Sequence, residues 1–265
     1  MSIGFIGCGN MATAIIKGIT ENNIIDSDEI FVFDTNKTAL ESVCGKYDLE
    51  KCSNSKQVVK KSDFVFLAVK PNVITEVLNE IGTEIKKKKP VIVSIAAGKT
   101  IEFLRSCLSE NNKIVRVMPN INAKVNEAMC AYCVNELVEK AEEKEIERIL
   151  AGIGKVTCLE ESYFPLFGVL GGCAPAYTYM FIDALARAGV QNGMPKAKAL
   201  EIAAQTVYGS AKMILESKEN PWSLVDRVCS PGGTTIEGII SLQSDGFETA
   251  VHNAVSKALD KDKKL

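Results

Sequence analysis

The stretch SIGFIGCGNMATAIIKG, residues 2–18, decides the fold of this chain. Residues 2–7 form a short apolar run that predicts a buried strand, and residues 10–22 have the apolar periodicity of a helix. A G-x-G-x-x-A motif between them is typical of the turn from the first strand to the first helix of a dinucleotide-binding fold. We expect Gly7 to make the tight turn and Gly9 to let the backbone approach a pyrophosphate.

The start of this helix predicts a phosphate site. Free backbone N–H groups and the positive end of the helix dipole face the glycine loop, and both favour an anion. A glycine turn with only a structural role is the alternative, but the alternation of strands and helices that follows favours a nucleotide. In this loop we expect cofactor contacts by Gly7, Gly9, Asn10 and Met11.

The first 160 residues alternate short apolar runs with helical patterns, as is typical of a doubly wound α/β sheet. Near-continuous apolar runs such as 63–69 indicate parallel strands that are covered on both faces. We predict an NAD(P)-binding domain of Rossmann type over residues 1–160. Its strands are expected at 2–7, 30–34, 63–69, 90–98, 113–120, 128–134 and 155–161.

The second part of the chain, residues 161–265, has a different pattern. No convincing strand follows Pro175, and two long helices are expected over 176–190 and 196–217. The second of them is apolar on more than one side, so it must be covered on more than one side. A domain of this size could cover the helix alone or pair with a second copy, and we predict an all-helical dimerisation and substrate domain that forms a homodimer.

The end of the second strand bears on which nucleotide binds. Asp34 stands where an acid would bond the ribose 2′-hydroxyl of NADH. Thr35, Asn36 and Lys37 instead offer hydroxyl, amide and ammonium donors for the 2′-phosphate of NADPH. Asp34 is equally suited to cap the helix that follows. These residues leave the alternatives open, and we take NADPH as the cofactor with NADH as the alternative.

Other cofactor contacts are expected beyond the carboxyl ends of the later strands, where ligands of open α/β sheets bind. Small residues there let a flat ring lie against the backbone, and the Asn120 side chain has the groups to bond a carboxamide. Turn and helix-start geometry explains the two prolines of these segments equally well. The predicted contacts are Ala68, Val69, Lys70, Pro71, Ala96, Ala97, Gly98, Pro119 and Asn120.

A second motif, CSPGGTTIEG at residues 229–238, precedes another helical pattern. We expect Ser230 to be the N-cap and Pro231 the first helical residue, which leaves several backbone N–H groups unobstructed. Such a helix start binds a carboxylate without a lysine or arginine. A capped helix without a ligand is the alternative, but glycines in a first turn cost stability. The expected substrate-binding residues are Ser230, Gly232, Gly233, Thr234 and Thr235.

Composition and charge argue against several classes of protein. The chain has 265 residues, a formal net charge of −2 and 46% hydrophobic residues, as in a globular protein with no attraction to nucleic acid. No apolar run reaches the length of a membrane span, and the N-terminus enters a strand pattern without a signal peptide. We expect a cytoplasmic protein with no nucleic-acid or membrane partner. The KKKK run at 86–89 is interpreted as a solvated helix end.

Nine cysteines raise the question of a metal or disulfide site. Cys130 and Cys133 form a C-x-x-C pair, but there is no second pair, and His252 is the one histidine. Structural zinc needs four ligands. We therefore predict buried, reduced thiols and no metal site. His252 lies in an amphipathic pattern and is interpreted as a packed or surface side chain rather than a catalytic acid.

Taken together, the motifs resemble those of pyrroline-5-carboxylate reductases along essentially the whole chain. The matching segments, in order, are IGFIGCGNMA (3–12), AVKP (68–71), SIAAG (94–98), RVMPN (116–120), GGCAPAY (171–177), AAQTVYGSAKM (203–213) and SPGGTTIEG (230–238). The resemblance implies reduction of 1-pyrroline-5-carboxylate to proline by NADPH or NADH, the final step of proline biosynthesis. It also implies a Rossmann domain, a helical dimerisation domain, and dimers able to assemble further.

The resemblance also implies roles for the late motif. Ser230 and the N–H groups of Gly233 and Thr234 would hold the substrate carboxylate, and Thr235 would bond the ring nitrogen as the catalytic residue. In this family the motif meets the cofactor domain of the partner subunit, which implies an active site shared across the dimer. An imine nitrogen is basic enough to arrive protonated, so no strong general acid is needed and the positioning of two rings does most of the work.

Some positions depart from the family pattern. Ile121 and Asn122 follow MPN where Thr-Pro is usual, and Cys173 and Ala174 replace a Ser-Gly pair. These departures concern contacts on the nicotinamide side and leave the late motif intact. Two rival classes fit less well: β-hydroxyacid dehydrogenases need a catalytic lysine where 168–183 has none, and a non-catalytic NADP sensor has no reason to keep an anion-binding motif.

Overall fold

The structure is a computed structural model that describes residues 1–108 and 111–263. The chain divides into two compact units, Met1–Gly172 and a second unit that begins at Cys173. The sequence predicts a boundary between residues 160 and 161, whereas the first compact unit extends twelve residues further. Its last segment belongs there because Phe164 is completely buried against Ala131 and Cys133 of the sheet.

The first unit is built on one sheet of eight strands. In the order β3-β2-β1-β4-β5-β6-β7-β8, neighbouring strands pair in parallel except β6 and β7, which are antiparallel. A short connection over 119–127 reverses the chain there and leaves no room for a crossover helix. The strands are β1 (Ile3–Ile6), β2 (Ile30–Phe33), β3 (Glu50–Lys51), β4 (Phe64–Leu67), β5 (Val91–Ser94), β6 (Ile114–Met118), β7 (Ala128–Val134) and β8 (Gly154–Cys158).

Helices cover both faces of this sheet, as the sequence predicts. Adjacent residues of β4 show it: Phe66 enters one apolar cluster, where it stacks on Phe5 with ring centroids 4.8 Å apart, and Leu67 enters the other. Burial on both faces explains why the strands are nearly continuous apolar runs. The helices are α1 (Asn10–Glu21), α2 (Lys37–Tyr47), α3 (Ser55–Lys61), α4 (Ile74–Lys88), α5 (Ile101–Cys107), α6 (Lys140–Ala151) and α7 (Phe164–Phe167).

The second unit is helical throughout its described residues. α8 (Ala174–Gln191) and α9 (Lys196–Ser217) pack on each other through small side chains, and Ala186, Ala199 and Ala203 are buried. The remaining helices are α10 (Pro221–Val228), α11 (Thr234–Ser244) and α12 (Phe247–Asp262). His252 lies on α12 and is exposed.

Large apolar side chains cover much of the second unit's surface. Met180 is 77% exposed and Leu215 is 74% exposed. Monomeric soluble proteins rarely expose large groups of such side chains. The other exposed ones include Tyr179, Leu185, Met213, Trp222 and Phe247. Such a surface is typical of an interface with another protein, because it would otherwise stand in water.

One helical stretch corrects the expectation about membrane spans. Residues Glu161–Gln191 are long and apolar enough to cross a membrane by length and composition alone. The stretch includes the charged side chains of Asp183 and Arg187, which pair with each other.

Candidate active site

The glycine loop has the geometry that the motif predicts. Gly7 has a φ of +104°, which side chains disfavour, and a Cβ there would lie 2.6 Å from the carbonyl oxygen of Ala68. Gly9 is different: it is the N-cap of α1 with an ordinary φ of −67°, and a Cβ there would meet no atom within 4 Å. The space beside Gly9 is open in the protein. A diphosphate at the start of α1 would need open space of this kind.

Asp34 ties this loop to the one that follows β2. Its Oδ2 accepts a hydrogen bond from the backbone N–H of Cys8 at 2.6 Å, and its Oδ1 accepts one from the N–H of Asn36 at 2.7 Å. The N-cap of α2 is Asn36, which accepts from the N–H of Ala39 at 3.1 Å. The alternative that Asp34 caps this helix is therefore wrong. Thr35 and Lys37 are exposed beside it.

The remaining predicted cofactor segments line up along one edge of the sheet. Residues 68–71 follow β4, residues 96–98 follow β5 and residues 119–120 follow β6, and these three strands lie side by side next to β1. Pro71 lies in a turn, since α4 begins three residues later at Ile74. Open α/β sheets bind their ligands outside these carboxyl ends of the strands.

Asn120 has a structural role that the sequence does not predict. Its side-chain N–H donates to the carbonyl oxygen of Gly171 at 2.9 Å, and its Oδ1 accepts from the N–H of Asn122 at 3.2 Å. The side chain is 6% exposed. These contacts hold the amide in one orientation, and the expectation that Asn120 bonds a nicotinamide carboxamide stays a prediction.

The late motif forms a turn before its helix. The N–H of Gly233 donates to the carbonyl oxygen of Ser230 at 3.0 Å, and Gly232 has a φ of +67°. A proline followed by a glycine with positive φ is the pattern of a type II turn. The helix begins at Thr234, and Gly233 is its N-cap. Ser230 as N-cap and Pro231 as first helical residue are therefore wrong predictions.

This turn changes which groups are available to a ligand. The N–H of Gly233 is used within the turn, whereas the N–H groups of Thr234 and Thr235 belong to the first turn of α11 and have no intrahelical acceptor. An anion placed there would also face the positive end of the helix dipole. The motif keeps its capacity for a carboxylate, with the donors one residue later than the sequence predicts.

The thiols are consistent with a reduced protein. All nine cysteines are free, and five of them are buried: Cys8, Cys44, Cys52, Cys130 and Cys133. Burial, and to a smaller extent the carboxylate of Asp34, raises the pKa of the Cys8 thiol to about 12. A thiol in that state is a poor nucleophile.

We expect iodoacetamide at pH 8 to alkylate the exposed Cys158 and to leave Cys8 unmodified in the folded chain. At that pH only about one Cys8 thiol in 10⁴ is ionised. Peptide mass spectrometry after timed quenching measures both sites, and a sample in urea should show all nine modified. Equal rates for Cys8 and Cys158 would contradict the burial of the loop thiol.

Two family profiles match this chain. The profile described as "Pyrroline-5-carboxylate reductase dimerisation" covers residues 161–265, and the profile described as "NADP oxidoreductase coenzyme F420-dependent" covers residues 2–98. The first spans the helical region with the exposed apolar surface, and the second spans the glycine loop. A dimerisation domain accounts for the apolar side chains that the second unit exposes.

Relatives match along the full length. The pyrroline-5-carboxylate reductase of Escherichia coli K12 is 40% identical over 264 residues, which is 99% of this chain and 97% of the relative. The solved pyrroline-5-carboxylate reductase of Coxiella burnetii has a TM-score of 0.95 at 31% identity, covering 99% of this chain and 97% of that one. The Plasmodium falciparum structure, described as having NADP bound, has a TM-score of 0.85 at 32% identity and covers 100% and 97%. The chain therefore belongs to the pyrroline-5-carboxylate reductase family.

Proposed function

We propose that this chain reduces 1-pyrroline-5-carboxylate to proline with NADPH or NADH, as the final step of proline biosynthesis. Full-length family membership carries the proposal. Two features of the structure support it: the open glycine loop at Gly9 suits a nucleotide, and the helix start at Thr234 has N–H groups without an intrahelical acceptor. A protein that only senses a nucleotide has no use for the second feature.

The cofactor is assigned to the carboxyl edge of the sheet. The first turn of α1, with Gly9, Asn10 and Met11, would hold the diphosphate, and the loop Asp34–Lys37 would hold the adenosine ribose. The segments Ala68–Pro71 and Ala96–Gly98, with Pro119, would line the nicotinamide end. Asn120 is left out of this set because its amide already has two partners.

The substrate carboxylate is assigned to the start of α11. Ser230 offers a hydroxyl, and Thr234 and Thr235 offer backbone N–H groups at the positive end of a helix dipole. The Thr235 hydroxyl would bond the ring nitrogen, and its position on the same helical turn would fix the ring relative to the carboxylate. Gly232 stays in the predicted substrate set, and its positive φ favours glycine whether or not it contacts the ligand.

The reaction adds a hydride to the imine carbon and leaves the proton on the nitrogen. A reduced nicotinamide supplies the hydride when it is bound. The C=N double bond becomes a single bond, and the protonated imine becomes the neutral secondary amine of proline, which then takes up one proton from water to give the ammonium. Because the imine arrives protonated, the protein needs only to orient the ring and hold its charges, and Thr235 does so through its hydroxyl.

We expect purified protein to oxidise NADPH or NADH in the presence of 1-pyrroline-5-carboxylate, and Thr235→Val to lower kcat about ten- to hundredfold through the loss of one hydrogen bond to a charged group. Nucleotide fluorescence should show unchanged cofactor affinity. Ser241→Ala, on the same helix, is the control and should retain activity. No turnover by the wild type with either nucleotide would discard the reductase assignment, and loss of nucleotide binding in Thr235→Val would show that the residue is misplaced.

The assembly follows from the helical unit. We infer a homodimer formed through the apolar surface of α8 to α12, because its side chains need a cover and a dimerisation profile spans them. A larger homo-oligomer built from such dimers and a cytoplasmic location, where free thiols stay reduced, complete the proposal.

A further inference from the structure

Three alternate residues at the carboxyl end of β6 contact one later segment of the chain. Arg116, Met118 and Asn120 lie two apart, so their side chains share one face of the strand and of its extension. They reach the segment 161–171, the last part of the first unit. We call these three residues and their contacts with 161–171 the β6 clamp.

Arg116 is the first contact of the β6 clamp. It is 6% exposed, its Nη1 donates to Oε1 of Glu161 at 2.9 Å, and its guanidinium lies 4.5 Å from the ring centroid of Phe164. The same oxygen of Glu161 accepts the N–H of Ile101 at 2.8 Å, at the first residue of α5. A buried guanidinium with these partners is held in one orientation, because losing Glu161 would leave its charge unpaired.

Met118 and Asn120 make the other two contacts. The sulfur of Met118 lies 3.5 Å from the place where a Cβ on Gly168 would stand, and the amide of Asn120 donates to the carbonyl of Gly171. Gly171 is close-packed as well, since a Cβ there would lie 3.0 Å from the ring of Phe167.

The segment that the clamp holds cannot fix its own shape. Residues Gly168–Cys173 form a π-helical turn, and three of these six residues are glycines. Glycine has little conformational preference, and π-helical turns are rare unless a function or an external contact maintains them. The contacts from β6 therefore help to hold this turn within the first unit.

We propose that Arg116 and Asn120 are positioning residues for the reduction: they hold 161–171 in the form that catalysis needs and touch neither cofactor nor substrate. This inference rests on the proposed reductase function. Pro119, which we assign to the nicotinamide end, lies between Met118 and Asn120, so a loosened clamp should slow hydride transfer while the glycine loop still binds nucleotide normally.

The experiment compares two buried asparagines that lie near opposite ends of β6, Asn120 after its last residue and Asn135 beside its first. Asn120→Ala removes a clamp contact at the carboxyl end. Asn135→Ala is the matched control: Asn135 is 5% exposed, accepts from the N–H of Ile114 at 3.0 Å and donates to the carbonyl of Asn112 at 2.8 Å, at the amino end. Full-length variants are measured for unfolding temperature, nucleotide affinity by fluorescence, kcat, KM and the isotope effect with 4-deuterated nucleotide.

We expect both variants to unfold at lower temperature, and only Asn120→Ala to lose activity. Its kcat should fall about tenfold with nucleotide Kd within about twofold of wild type, and its isotope effect should rise because hydride transfer becomes slower than the other steps. Arg116→Met should give the same pattern, and Arg116→Lys should recover part of kcat because it retains the charge opposite Glu161.

Three results would overturn the proposal. A tenfold rise in nucleotide Kd for Asn120→Ala would mean that the amide bonds the nicotinamide after all. An equal loss of kcat in Asn135→Ala would mean that the clamp contributes only to the stability of the fold. Unchanged kcat in Asn120→Ala would mean that Asn120 has no part in catalysis. If Asn120→Ala does not fold, Arg116→Lys against Arg116→Met decides by the same readouts. A wild type without turnover instead counts against the reductase assignment, not the clamp.

Discussion

A Gly9→Val variant is expected to fold like the wild type and to lose cofactor affinity by at least about a hundredfold, or about 2.7 kcal/mol. The structure predicts this combination because Gly9 has an ordinary φ of −67° and its missing side chain points into open space. The Cβ of the valine meets no protein atom within 4 Å. The side chain would instead meet a diphosphate that approaches the first turn of α1.

Gly7 is the wrong position for the same test. Its φ of +104° and the Ala68 carbonyl at 2.6 Å would make any side chain strain the loop itself, so loss of binding could follow from misfolding. Gly45→Val is the better control, because a Cβ on Gly45 would also meet no atom within 4 Å, and this glycine lies on α2, away from the strand ends. Unfolding temperature and nucleotide fluorescence measure the two properties separately. A Gly9→Val chain that binds nucleotide with wild-type affinity would place the diphosphate elsewhere.

The sequence predicts well the features that local chemistry determines. The glycine loop, the buried strands and helix α9, whose bounds at 196–217 match the prediction, all follow from periodicity and from residues with strong local preferences. The prediction misses strand β3. This strand has only two residues, Glu50 and Lys51, and both are exposed and polar, so it has no apolar pattern. Predicted strands also extend past the observed ends, since small apolar residues continue beyond the last ladder hydrogen bond.

The sequence fails where a distant partner decides. Asn120 bonds Gly171, 51 residues away, and nothing near Asn120 indicates that partner. The ion pair of Arg116 with Glu161 spans 45 residues and has no sequence signal either. The wrong prediction of an N-cap at Ser230 has a different cause. The sequence does contain the relevant signal there, because Pro231 followed by Gly232 is typical of a type II turn. A helix-start interpretation and a turn interpretation compete there, and the positive φ of Gly232 decides for the turn.

The carboxylate of Asp34 illustrates how a motif residue acquires a second role. An acid at the end of the second strand is commonly assigned to the ribose, yet here its two oxygens bind the N–H groups of Cys8 and Asn36. It thereby holds the β1–α1 loop against the β2–α2 loop, the two loops that we assign to the diphosphate and to the ribose. Charge-assisted bonds of this kind are stronger than neutral ones, so the two loops form one rigid unit.

Mixing a Gly9→Val chain with a Thr235→Val chain is expected to restore activity, if each active site takes its cofactor from one subunit and its substrate motif from the other. Gly9→Val lacks the cofactor site and Thr235→Val lacks the substrate contact. Random pairing of equal amounts makes half of the dimers mixed, and each mixed dimer then has one complete site of two. Activity should reach about a quarter of wild type. If each site lies within one chain, no dimer is complete and activity stays at the mean of the two variants.

The control uses one chain that carries both substitutions, and for it the two arrangements of the active site predict the opposite order of activity. Paired with a wild-type chain, it spoils both sites of the dimer if sites are shared, because every site then contains one defective half. If sites lie within single chains, the same dimer keeps one intact site. Co-expression with two different affinity tags isolates each mixed dimer, and turnover per dimer is compared with wild type. Shared sites require about half of wild-type turnover for the dimer of two single variants and almost none for the dimer with the double variant. The reverse order would place each active site within one chain, and failure to recover any doubly tagged dimer would show that the subunits do not pair as the exposed surface of α8 to α12 predicts.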